Sequence, residues 1–178
     1  MLNETEIMMQ ILKPIMTALL ICGAAASGNA QIPEDSIYGD FDGDGKKEHL
    51  WMETKYDEDE YATEPFVLRS DNLKLDRKFK VEAPRYVLIM NEGKLNGGNV
   101  EYFSITPYGD STWSMTSVYV FSNGNVHKAV DGFTTWSGNE EEEDFVRPAD
   151  CPGYAVINEY GMDVEDSWTP RRKTVKLK

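Results

Sequence analysis

The chain is predicted to be all-β, made of antiparallel hairpins that form a small sandwich or a partial, propeller-like stack of blades. Three observations lead there. From Glu48 onward, short segments rich in Val, Ile, Phe, Tyr, Trp and Thr alternate with Gly, Asn, Asp and Pro, which is the pattern of strands and turns. No stretch carries the 3.6-residue periodicity of an amphipathic helix. Asn123-Gly124 stands between two β-rich arms and supplies the positive-φ pair of a tight type I′ hairpin turn.

Taken in order, the chain opens with an apolar run from Ile15 to Ala26 followed by Gly28-Asn29-Ala30. This is the form of a secretory signal peptide over residues 1–30, which leaves one mature β domain over 31–178 and an exported destination: periplasm, cell surface or medium. Glu4 and Glu6 do not suit the basic start of such a signal, so initiation is expected at Met8 or Met9, with Lys13 as the remaining charge. The apolar run is too short to span a bilayer, and no transmembrane helix is expected in the mature chain. Cys22 lies in the run, but Ile21 precedes it where lipidation needs a small residue, so a lipoprotein is disfavoured. Cys151 then has no partner for an internal disulfide, and a metal becomes the natural staple.

Strands are predicted at 49–54, 66–69, 73–81, 86–90, 100–106, 114–121, 126–130, 133–137, 154–159 and 173–177. The acid-rich stretches 56–65 and 139–144 read as solvated connections. With 18 basic and 31 acidic residues in 178, the net charge of −13 repels phosphate backbones and excludes nucleic acid as a partner. A hydrophobic content of 40% with 11% aromatics still supplies a core for one domain.

The chemistry is concentrated in Asp40-Phe41-Asp42-Gly43-Asp44-Gly45-Lys46-Lys47-Glu48. Acids stand at loop positions 1, 3, 5 and 9, with Gly at position 6. Calcium takes about six to eight oxygens at roughly 2.3–2.6 Å, and alternating acids on a curled loop bring carboxylates to one point. The carbonyl of Lys46 at position 7 can add an oxygen, and Gly45 permits the sharp turn. The expected ligands are therefore Asp40, Asp42, Asp44, Lys46 and Glu48, around a structural Ca2+. An EF-hand would need a bidentate Glu at position 12, where Trp51 stands, and flanking helices that this sequence lacks.

A strand-flanked D-x-D-G-D-G loop closed at position 9 resembles the calcium loops of FG-GAP repeats, the integrin-α-type propeller units, and of related secreted bacterial proteins. The resemblance covers residues 39–54 closely and 92–106 loosely, roughly a sixth of the chain. It implies an extracellular β domain with those five residues as ligands. The second stretch, Gly93-Lys94-Leu95-Asn96-Gly97-Gly98-Asn99-Val100-Glu101, overlays on Gly39 to Glu48 one residue shorter. It has Lys94, Asn96 and Gly98 where carboxylates are needed, so it is expected to bind no metal. Two such loops point to duplicated β-units.

Other residues carry less. His49 and His127 lack zinc spacing and read as ordinary strand histidines. Cys151, Ser111 and Ser114 sit in no nucleophile signature. Trp51, Trp113, Trp136 and Trp168 suit core and cross-strand packing better than a sugar platform, although Trp113 is expected to be exposed and exposed, coplanar rings of Trp113 and Trp136 would form a ligand face. The functional expectation is an exported, non-enzymatic calcium-binding module for an extracellular protein or glycan. Its alternatives are a small exported hydrolase and an envelope-associated structural protein.

Overall fold

The computed structural model describes residues 36–136, 145–163 and 167–178; the predicted leader with Cys22 and the acidic run 139–144 lie outside them. Pro33–Lys178 make up one compact unit. Eleven strands form three antiparallel sheets, and no helix occurs among the described residues, so none there is long and apolar enough to cross a membrane.

The first sheet runs β1 (Ser36–Gly39), β2 (Glu48–Glu53), β3 (Phe66–Ser70) and β4 (Lys80–Val81), each beside the next. The middle sheet repeats that order with β5 (Tyr86–Gly93), β6 (Tyr102–Tyr108), β7 (Trp113–Ser122) and β8 (Asn125–Trp136). The third has β9 (Val146–Pro148), β10 (Tyr154–Met162) and β11 (Trp168–Lys176), with β10 central.

Two cores separate these layers. Ile37, Leu50, Met52, Phe66 and Leu68 of the first sheet meet Val87, Ile89, Phe103, Ile105 and Phe121 of the middle one. The opposite side of the middle sheet offers Tyr102, Val118, Ala129 and Phe133 to Val146, Ala155 and Ile157 of the third. The middle sheet is thus covered on both faces, and β6 shows it: Tyr102, Phe103, Ser104, Ile105 and Thr106 are buried in succession rather than alternately. Its interior hydroxyls satisfy one another, Thr106 Oγ1 lying 2.7 Å from Thr116 Oγ1 and that atom 2.9 Å from Thr135 Oγ1.

Differences from the sequence reading have local causes. The strand predicted at 73–81 is mostly loop, with strand only at Lys80–Val81; Leu73, Leu75 and Phe79 pack into or against the first core as loop side chains instead. The segment 126–130 and the described part of 133–137, to Trp136, join into β8, because Asp131-Gly132 forms a bulge opposite Ser117 rather than a turn. Strands β1 and β9, of 4 and 3 residues, were not expected. The turn at Asn123-Gly124 is as predicted, with φ of 51° and 74°.

Candidate metal centre

Loop 40–47 closes the β1–β2 hairpin, whose last register pair is Gly39 with Glu48. The hairpin therefore brings the first and ninth loop positions side by side, and the loop between them curls inward. Gly43 and Gly45, at φ of 80° and 85°, take the left-handed turns that allow this. Phe41 anchors the curl: it is fully buried and packs edge-on to Phe103, 5.7 Å between centroids.

The curl converges three carboxylates. One oxygen from each of Asp40, Asp42 and Glu48 lies within 4.8 Å of the others, so the three can hold a metal ion. Glu48 is 3% exposed, and its Oε2 accepts the amides of Phe41 at 2.7 Å and Asp42 at 3.4 Å. Burial pushes its carboxyl above the ordinary range, and the charges of Asp42 and Asp40 push it the same way. Asp40 Oδ2 accepts the Gly45 amide at 3.1 Å, while its Oδ1 is buried without a hydrogen-bond partner. A buried, orphaned carboxylate oxygen beside two further carboxylates costs free energy unless a cation meets it. On that ground the residues fit a divalent ion.

Asp44 and Lys46, the other two expected ligands, meet each other. Asp44 Oδ1 accepts the Lys46 amide at 2.8 Å, and Oδ2 pairs with its ammonium at 2.9 Å. The hydrogen bond from that ammonium holds the Asp44 carboxyl below its usual value. Both side chains are exposed at the tip of the loop, and the Asp44 carboxylate is not among the three that converge.

The second, degenerate loop occupies the same place one sheet further on, joining β5 to β6 as the first joins β1 to β2. Leu95 is buried as Phe41 is, though in the other core. Asn96 Oδ1 accepts the Gly98 amide as Asp42 Oδ1 accepts that of Asp44, and Gly97 has positive φ as Gly43 does. The loop form is kept and the carboxylates are not. The two loops touch, since the Glu101 amide donates to Asp40 O at 2.9 Å.

Elsewhere the tryptophans pack with one another. Trp113 stacks on Trp168 at 4.5 Å and on Trp136 at 5.8 Å, with Tyr160 edge-on to Trp113. Contrary to expectation Trp113 is half-buried, and Trp168 at 41% is the exposed member. His49 and His127 belong to different sheets. His49 lies in a row of rings between Tyr38 and Trp51, its Nδ1 3.1 Å from Asp71 Oδ2. Cys151 is an exposed free thiol in the β9–β10 turn. Comparison of the chain with protein-family models, with curated proteins and with solved structures found no match to any of the three.

Proposed function

We propose that the chain is an exported β domain in which loop 40–48 holds one structural calcium ion, and that the domain binds an extracellular protein or glycan rather than catalysing a reaction. The observation that carries the metal reading is the convergence of Asp40, Asp42 and Glu48 on a point where Asp40 Oδ1 is buried and unpaired. The donor set is all oxygen, which selects a hard cation over zinc. Calcium suits it better than magnesium, because a loop of irregular oxygens tolerates its variable geometry and magnesium demands a near-ideal octahedron. The D-x-D-G-D-G spacing and its FG-GAP resemblance support the same ion. Export rests on the apolar run from Ile15 to Ala26 and the small residues after it.

Extracellular loops of this kind hold calcium with Kd on the order of 10⁻⁴–10⁻³ M. At a Kd of ~0.1 mM, millimolar calcium adds roughly 1.4 kcal/mol to the folded state. For a domain of this size that is about 4 °C in Tm. Calorimetric melting in EGTA and in millimolar calcium, with magnesium at matched ionic strength as control, measures it. A melting temperature indifferent to calcium, or moved equally by magnesium, rules the assignment out.

A further inference from the structure

The concave surfaces of this acidic molecule are not all lined by its acids. Two clefts, of about 550 and 440 Å³, lie on either side of His127 and share it as a common wall. One carries Lys128 and Lys178, and the other carries Arg77 and Lys78. Neither lining contains a carboxylate, although acids are 31 of the 178 residues and outnumber bases.

The nearby charges leave the cations in excess. Lys178 pairs with Asp131, and the Asp76 carboxylate lies against Gly124 at the hairpin tip. Lys128 stands 5.8 Å over the Tyr119 ring, and among the described residues Arg77, Lys78 and Lys128 make no ion pair. Between the cations the surface is mixed. Half-buried Val100 and Val120 supply apolar wall in one cleft and half-buried Phe79 in the other, while the amides of Asn96, Asn123 and Asn125 add neutral donors and acceptors. His127 Nε2 donates to Ser122 O at 3.2 Å, which holds the ring between the two clefts.

We infer that the paired clefts around His127 bind an acidic oligosaccharide, with anionic groups on separate sugar units meeting Arg77 and Lys78 on one side and Lys128 on the other. The amides match sugar hydroxyls, and the half-buried Phe79 ring with the valine side chains matches the C–H faces of sugar rings. Sparse charge on the ligand is part of the fit. Duplex DNA presents one phosphate per ~1.7 Å and meets the strongest repulsion from a molecule at −13, whereas a chain with one carboxylate per sugar carries a lower charge density and meets less of it. The inference gives the binding-module reading a ligand class and rests on that part of it; it does not depend on the calcium loop.

The test is isothermal titration of the full chain, in EGTA, with an oligogalacturonate, a neutral maltooligosaccharide, inorganic phosphate and single-stranded DNA. The oligogalacturonate is expected to bind, to weaken at least tenfold in the Arg77→Gln/Lys78→Gln double variant and in Lys128→Gln, and to be released by high salt. All three positions are exposed, so their melting curves should match the parent. Equal binding by both variants overturns the inference, as does preference for the neutral sugar, for phosphate alone or for DNA. Binding that requires calcium also overturns it, because the ligand would then be held at the loop. Asp42→Ala, which removes the proposed calcium response, should leave titration in EGTA unchanged, so the two readings fail separately.

Discussion

Glu48 is the residue on which the loop turns, because it does two jobs that its charge sets against each other. Its carboxylate accepts the Phe41 amide and so fixes the curl, yet it stands buried beside the negative charges of Asp40 and Asp42. Glu48→Gln keeps an acceptor for that amide and removes one of three like charges. It should therefore raise Tm in EGTA by a few degrees and abolish the rise in calcium; a variant that loses stability in EGTA would show that the charge repulsion is not there to relieve. Asp42→Ala should likewise remove the calcium-dependent gain of about 4 °C, scaled from the usual affinity of such loops. Asp44→Ala is expected to lose less than half of it, since that carboxylate is already matched by Lys46 at 2.9 Å. Melting the three variants side by side checks the order. That carboxylates of this loop converge was legible from the alternating acids, but the hairpin base that brings Asp40 beside Glu48 was not, because the four residues of β1 carry too weak a strand signal. The pairing of Asp44 with Lys46 was not, since it depends on how the loop tip folds back on itself.

At the scale of elements, turn chemistry was read correctly and strand composition was not always. Asn123-Gly124 is fixed by a local demand for positive φ that few other residue pairs meet, and the structure has both angles. The strand expected over 73–81 is mostly loop because Leu73, buried, and Leu75 and Phe79, partly buried, are held by tertiary packing, with no partner strand along most of the segment. That same loop bears on the hairpin. The Asp76 amide donates to Gly124 O at 2.7 Å, and the Asp76 carboxylate occupies the space that a Cβ on Gly124 would need. Gly124→Ala thus meets two penalties, about 1–2 kcal/mol for a left-handed backbone and a further steric cost. In a double-mutant cycle with Asp76→Ala, the steric part should vanish and the backbone part should remain. Strict additivity in urea unfolding would contradict the contact. Gly39 offers the harsher case, where a Cβ would lie 2.6 Å from both Asn91 Nδ2 and Glu101 Oε2 and 2.8 Å from the Phe41 ring. Gly39→Ala is expected to cost more than about 2 kcal/mol, within the range of overpacking a well-filled site.

For the whole molecule, the all-β antiparallel class followed from strand and turn composition, but the layering did not, because no local signal says which sheet a strand joins. The two related loops were the exception. Their spacing predicted duplicated units, and they prove to be the first connections of two successive four-stranded sheets. The contact between those sheets decides how far a bound ion would act. Asn91 Nδ2 donates to Tyr38 O at 2.8 Å, the Glu101 amide to Asp40 O at 2.9 Å, and Phe41 lies against Phe103 of β6. The loop is thereby tied to the middle sheet, whose strand β6 is buried on both faces and should open only with the entire domain. If calcium stabilises that global state by roughly 1.4 kcal/mol, amides of β6 should exchange with solvent about tenfold more slowly in millimolar calcium than in EGTA. Those of β11, an edge strand with most side chains exposed, should exchange fastest and respond least, because local fraying limits them. Slowing confined to residues 40–48, with β6 unchanged, would mean that the ion orders a loop and leaves the fold as it was.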